Sequence, residues 1–330
     1  RKALLQAQAA IVLTSGSESE LDRLAAVAAV VDKGDLEALT LLRGLPADAP
    51  PRLKEAAERG AGEIERHLAL LKNVQSVFHG ISLGSVLLLA AIGLAITFGV
   101  MGIINMAHGE MVMIGAYATF VVQEIIRSRA PGLFDYSLAI ALPVAFLAAG
   151  LVGVLVERTV IRFLYGRPLE TLHATWGVSL ILQQAVRSLF GPTNREVGNP
   201  GFMSGSFEVM GIALTWNRLW IVVFSLAVFA ALLIVMKFTD FGLKMRAVVQ
   251  NRRMAASMGV RTPLVDALTF GLGCGIAGIA GVALSQIDNV SPNLGQSYII
   301  DSFMVVVFGG VGSLWGTLVA AMTLGVANKV

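Results

Sequence analysis

The chain has 330 residues, of which 55% are hydrophobic and 14% charged, with a mean hydropathy of +0.74 and a formal net charge of +3. A soluble domain carries roughly 25% charged residues, so this chain cannot cover a water-facing surface, and a soluble globular class is excluded. Its 35 glycines follow no collagen period and its single cysteine, Cys274, can make no internal disulfide, which leaves a lipid-embedded chain.

The opening residues, Arg1-Lys2 followed by Gln6 and Gln8, do not form a signal peptide. Residues 1–72 hold half of the acidic groups and read as short soluble helices. Ser17-x-x-Glu20 fits a capping box ahead of Leu21, Leu24, Ala25 and Ala28, and Gly34 ends that helix. Asp35 can cap a second helix with Leu36, Leu39 and Leu42 on one face. Gly44 to Pro51 is a loop, and residues 52–72 form a charged helix with Leu53, Ala57, Ile64, Leu68 and Leu71 as its apolar side.

From residue 77 onward the apolar runs reach the ~20 residues a bilayer span needs. The expected spans are 77–99, 107–126, 137–156, 171–190, 219–236 and 264–285. The uncharged stretch 303–326 is either one span or two shorter helices folded at Gly309 to Gly316. The expected fold is therefore an all-α polytopic membrane helix bundle of about seven to eight segments. Residues 1–72 form a soluble helical extension and residues 73–330 the membrane domain.

Basic residues fall in two loops, Arg158, Arg162 and Arg167, then Lys237, Lys244, Arg246, Arg252, Arg253 and Arg261. Cytoplasmic loops carry such an excess, so these two are expected inside. Residues 1–76 and the loops 127–136, 191–217 and 286–300 are then outside, against the dissent of Arg127 and Arg129.

Asn105, His108 and Glu110 cluster where the first span turns into the second. Polar groups there are costly unless they face the bundle interior or water, so they read equally as a hydrogen-bonded turn and as the lining of a solute path. A metal site is not expected, because the other histidines supply no obvious partners. Gln183, Gln184 and Arg187 make a further polar stripe, the two glutamines being candidates for the path. Glu157, His173, Asp266 and Asp301 are also polar within or beside spans; Glu157, Asp266 and Asp301 lie near span ends, where solvation is the first expectation.

Residues 242–260 are basic, Ala/Met-rich and stopped by Gly259, which suits a short helix docking into a groove on another protein. Gly273-x-Gly275-x-x-Gly278 matches a dinucleotide fingerprint in letters only, since it lies inside an apolar span without a preceding strand. The spacings Gly271-xxx-Gly275 and Ala277-xxx-Gly281 instead point to close helix packing, with Gly278 on the same helix, and Gly80 and Gly84 repeat the pattern. No Walker A sequence occurs, and no cofactor is expected.

The run Ile96 to Glu110, the run Met254-Ala255-Ala256-Ser257-Met258-Gly259-Val260 and the run Val307 to Ser313 together resemble the permease subunits of bacterial branched-chain amino acid importers of the ATP-binding cassette class. The resemblance covers residues 77–330. Within that family, Asn-Met-Ala-His-Gly-Glu and the helical extension look most like the urea-importer permeases. The resemblance implies an inner-membrane, multi-pass, non-enzymatic subunit with a periplasmic extension. It implies as partners a second permease subunit, two cytoplasmic ATP-binding subunits and a periplasmic solute-binding protein, with no nucleic acid. It maps the ATPase contact onto Asn251 to Val260, including Asn251, Met254, Ala255, Ser257 and Gly259, and it puts the path beside Asn105, His108 and Glu110. Import of branched-chain amino acids or another small amide by the same mechanism is the alternative, and a passive channel or an intramembrane enzyme built on His108 and Glu110 are the more distant rivals.

Overall fold

The computed structural model describes residues 11–13, 19–46, 49–209 and 212–329, and it is helical nearly throughout. Two compact units separate, residues 1–76 with 209–212, and residues 77–208 with 213–330. Ser17 and the opening stretch lie outside the described residues.

The first unit holds α1 (Glu20–Lys33), α2 (Leu36–Arg43) and the start of α3 (Pro51–Met101). Ser19 caps α1 by accepting from the Asp22 N–H at 3.3 Å. The side chains that α1 and α2 bury are Ala26, Val27, Val30, Ala38 and Leu42, packed with Leu53, Ala57 and Ile64. Leu21 and Leu36, expected on the apolar faces, are exposed. Asp35 caps α2 through a 2.8 Å bond from the Ala38 N–H. Burial alone would raise its carboxyl, but that bond and the Lys33 ammonium hold it below the usual carboxylate range. The composition change near residue 72 is not a helix end, because nothing between Lys72 and Gly80 breaks the helical pattern of α3.

The second unit adds α4 (His108–Arg129), α5 (Ser137–Thr159), α6 (Pro168–Phe190), α7 (Trp216–Phe238), α8 (Asp240–Gln250), α9 (Arg252–Ser257), α10 (Thr262–Leu284), α11 (Leu294–Gly309) and α12 (Leu314–Ala327). Five described helical stretches, in α3, α4, α5, α7 and α10, are long and apolar enough to cross a membrane; α11 and α12 are shorter apolar helices. The stretch 303–326 is thus two helices. Gly310 and Gly312 adopt φ of 87° and 86° between them, and the Ser313 hydroxyl caps α12 by accepting from the Gly316 N–H. α11 begins at Leu294, so the expected outer loop 286–300 is cut to its first half. The expected outer loop 191–217 carries a small antiparallel pair, β1 (Ser206–Val209) and β2 (Ile212–Thr215).

α10 is the hub. Lipid is as apolar as a leucine side chain, so close backbone approach and polar contacts, rather than the hydrophobic effect, must hold membrane helices together. The three glycines of the false fingerprint face different neighbours. A Cβ on Gly273 would lie 2.8 Å from the Gly93 carbonyl of α3, and one on Gly275 would meet the Phe146 ring of α5 at 2.6 Å. One on Gly278 would meet the Ala145 carbonyl of α5 at 2.6 Å. Gly271 also faces α5, and Gly281 faces Val112 and Ala116 of α4. Gly80 and Gly84 of α3 sit against Gly325, Val326 and Ala321 of α12.

The loops of this unit sort to two ends. At one, Met101, Tyr165, Gly166, Met245, Val249 and Arg252 surround one cavity, which brings the two basic segments together. At the other, Arg195 and Val290 exchange backbone bonds of 2.8 and 2.9 Å. There Gln123 Nε2 also donates to Gly198 O at 2.8 Å, Gly201 N to Asp135 Oδ1 at 2.9 Å, and Asn217 Nδ2 to Gln286 O at 2.6 Å.

Candidate solute site and coupling surface

α3 ends at Met101, yet His108 at the start of α4 places Nε2 2.8 Å from the Ala90 carbonyl. Ala90 lies eleven residues before the end of α3, about 16 Å of helix. The six residues Gly102 to Ala107 therefore run back into the bundle as non-helical chain, irregular from Gly102 to Asn105 and closing in a turn at Met106-Ala107. Gly102, at φ 66°, makes the reversal, a conformation that costs a side-chain-bearing residue about 1 kcal/mol or more.

Unwound backbone inside a membrane bundle must find partners other than water. The Met106 N–H donates to Thr175 Oγ1 at 3.0 Å, and that hydroxyl reaches the Ile104 carbonyl at 3.3 Å. The Ala107 N–H donates to Asn105 Oδ1 at 3.0 Å. A carbonyl only accepts, so His108 Nε2 carries the proton to Ala90, and Nδ1 of the neutral ring is left as an acceptor.

α11 also begins inside the bundle. A Cβ on Gly109 would lie 2.5 Å from the Gly295 carbonyl, and one on Gly295 would lie 2.1 Å from that of Gly109. Each helix thus presents its first turn to the other. Glu110 of α4 and Gln296 of α11 are both in those turns, and Glu110 Oε1 accepts from Gln296 Nε2 at 2.9 Å and from Gln183 Nε2 at 2.7 Å. Ser179 Oγ lies 3.2 Å from the Gln296 amide and 3.4 Å from that of Gln183. A carboxylate at two helix starts is well placed, because the exposed N–H ends favour negative charge. Glu110 Oε2, His108 Nδ1 and Asn105 Nδ2 are buried and have no hydrogen-bond partner.

Asn105, His108, Glu110 and Gln183 are therefore buried together in this region. Gln184 is not among them. One residue on from Gln183, it points to the exposed side of α6, about 100° around the helix. Gln296, Ser179 and Thr175 were missed. Thr171, Thr175, Ser179 and Gln183 recur every fourth residue and line the buried side of α6, while Leu169, Trp176 and Ile181 are exposed. Arg187 continues the row and donates to Asn293 Oδ1 at 2.6 Å. This inverted helix, polar inside and apolar outside, is the one expected span that falls short of the apolarity of the other five.

At the basic end, Asn251 caps α9 through the Met254 N–H at 3.0 Å. Met254 and Met258 are 62% and 79% exposed and Ser257 is exposed, whereas Ala255 is buried. Ala255 thus anchors the segment. Gly259, at φ 85°, turns the chain away after the helix. Glu157 and Asp266 were expected to be solvated, but both are buried, at 2% and 4% exposure. Tyr165 donates to Glu157 Oε1 at 2.9 Å, and Arg252 pairs with Asp266. Burial, with the neighbouring Asp266 and Glu157 carboxylates, pushes the Tyr165 hydroxyl up, so it stays a donor. Asp301 is half-buried and His173 is exposed. Among the described residues no group of His, Cys, Asp and Glu is placed to hold a metal ion.

A family model described as branched-chain amino acid transport system / permease component matches residues 76–330. The high-affinity branched-chain amino acid transport system permease protein LivH of Salmonella typhimurium is 33% identical over 266 residues, 78% of this chain and 85% of its own length. LivH of Escherichia coli is 32% identical over the same shares. The corresponding protein BraD of Pseudomonas aeruginosa is 28% identical over 77% of this chain and 85% of its own. No solved structure matches. These relatives are named for branched-chain amino acids, so the expectation of a urea permease gains no support from them and the amino acid alternative fits better. On the match across residues 76–330 and on relatives more than 30% identical over three quarters of its length, the chain belongs to the permease family of branched-chain amino acid transport systems.

Proposed function

We propose that this chain is the permease subunit of an ATP-driven importer of the bacterial inner membrane, and that it carries branched-chain amino acids. The observation that supports the substrate class is Glu110, with one oxygen saturated by two amides and the other open where two helix starts meet. A zwitterion needs an acceptor for its ammonium and N–H ends for its carboxylate, the arrangement that broken helices provide in other carriers. The path then runs by Asn105, His108, Glu110 and Gln183, with Gln296 and Ser179 added. A second reading, urea, is favoured by the neutral amide and hydroxyl character of Gln183, Gln296 and Ser179, which suits a small uncharged amide. Uptake of labelled leucine and labelled urea by cells with and without the gene separates them. Gene-dependent leucine uptake is expected; gene-dependent uptake of urea alone would transfer the assignment, and uptake of neither would reject both.

On this reading the basic end faces the cytoplasm, residues 1–72 lie outside as an extension, and a second permease and a solute-binding protein complete the assembly. Two ATP-binding subunits dock on α9, with Met254 and Met258 as the contacts and Asn251, Ala255, Ser257 and Gly259 setting its shape. Met254→Glu with Met258→Glu should cut co-purification of the ATPase subunit at least tenfold. The chain's own melting temperature should hold, since exposed substitutions typically shift stability within about 0.5 kcal/mol. Undiminished co-purification would remove α9 as the dock.

A further inference from the structure

A carboxylate buried at the edge of a membrane bundle needs a partner, because an unpaired charge there is expensive. For Asp266, in the first turns of α10, that partner is Arg252, the first residue of α9. Arg252 also lies over the Tyr165 ring, 4.8 Å from its centroid. The Tyr165 hydroxyl donates in turn to Glu157 in the last turns of α5. Arg158 stands beside that carboxylate, its Nε 3.6 Å from Oε2.

One guanidinium therefore joins α9 to α10 directly, and to α5 through a stacked ring and its hydroxyl. Only arginine combines a planar fork for a carboxylate with a flat face for an aromatic ring. The same three side chains, Arg252, Asp266 and Tyr165, close around a cavity of about 400 Å³ at the basic end. Met101 and Thr269 are also part of its wall, and Thr269 Oγ1 is buried there with no hydrogen-bond partner. α9 is only six residues long, with Met254 exposed on it, Met258 exposed at its C-cap and Arg252 at its start. A force applied to the methionines has a short, rigid route to the core.

We propose that Arg252 is the transmission residue of this permease. Movement of α9 is passed through the Arg252–Asp266 pair to α10, and through Tyr165 to α5, and so opens or closes the cavity at the basic end. The proposal rests on the importer reading above. Arg252 is a positioning residue in it, since its partners are the side chains of Asp266 and Tyr165 and not solute.

The test uses the whole importer, reconstituted in proteoliposomes with its ATPase, and compares Arg252→Gln, Asp266→Asn and the double variant. Each single variant should keep wild-type amounts of bound ATPase and its ATP hydrolysis, while uptake per ATP falls at least tenfold. Arg252→Gln leaves the buried Asp266 carboxylate unpaired and should also melt lower, whereas Asp266→Asn keeps an acceptor for the guanidinium and should hold its melting temperature. The double variant should be no worse than either single, because both changes cut the same link. Tyr165→Phe keeps the ring under the guanidinium and drops only the hydroxyl, so its loss should be about twofold. Wild-type uptake per ATP in the single variants, losses that multiply in the double, or losses that track lowered melting or ATPase binding would each overturn the proposal. Absence of ATP-dependent uptake in the wild type would instead count against the importer reading.

Discussion

Changing Glu110 to Ala should strand the amides of Gln183 and Gln296, which both point at Oε1. A buried donor left without its acceptor costs roughly 1–3 kcal/mol. Interhelical polar bonds in membranes measure nearer 0.6 kcal/mol, because unfolded helices in lipid also find partners. Ser179 Oγ remains within 3.4 Å of both amides. The lower end is therefore expected, about 1–3 kcal/mol for the pair, read as a clear drop in melting temperature in detergent. Glu110→Gln separates structure from transport. It keeps an acceptor for the two amides and turns the open oxygen into a donor, so the melt should shift by less than about 1 kcal/mol. Uptake should nonetheless fall at least tenfold. A Gln variant that transports normally would take Glu110 out of the solute path, and an Ala variant with an unshifted melt would contradict the cluster.

The second large effect is expected along α10, where four glycines should not be equivalent. At Gly281 a Cβ would lie 2.0 Å from the Val112 carbonyl and 2.7 Å from the Ala116 nitrogen. Both are backbone atoms, so α4 and α10 must separate by about 1 Å or more, at the upper end of the ~1–3 kcal/mol typical of overpacking. At Gly278 the neighbours are the Ala145 carbonyl at 2.6 Å and Ala149 Cβ at 2.7 Å, and no rotamer relieves either. At Gly275 the first obstacle is the Phe146 ring, although the Phe146 carbonyl follows at 3.0 Å. At Gly271 it is one methyl of Val154, at 2.6 Å, which can rotate. Alanine substitutions should therefore lower the yield of monodisperse protein in the order 281, 278, 275, 271. Equal effects at 281 and 271 would show that the helices are not packed at these contacts.

Polarity read in isolation picked out Asn105, His108, Glu110 and Gln183, which the fold buries together, because a polar group inside an apolar run has few places to go. It did not separate Gln183 from the exposed Gln184, since two adjacent glutamines on a helix face directions about 100° apart and only packing selects the inner one. The four-residue row Thr171, Thr175, Ser179, Gln183 was written in the sequence all along. Serine and threonine are mild enough in hydropathy to pass unnoticed in a span. Gln296 was hidden differently: residues 286–300 read as an outer loop, and nothing local says that α11 starts deep enough to meet Glu110. Glu157 and Asp266 were misplaced for the complementary reason. Being near a span end is compatible with solvation until Tyr165 and Arg252, from other segments, close over them.

Sequence alone decided the solvent and the class of structure. A chain with so few charges and such long apolar runs must satisfy its backbone internally, and helices do this within each segment without information from elsewhere. It also carried enough similarity to assign the family. Tertiary structure decided which helices are continuous, which begin inside the bundle, and which side chains meet. Those outcomes depend on where a glycine lets two backbones touch and on which distant donor reaches a buried acceptor, interactions between residues as far apart as Glu110 and Gln296 that no local pattern specifies.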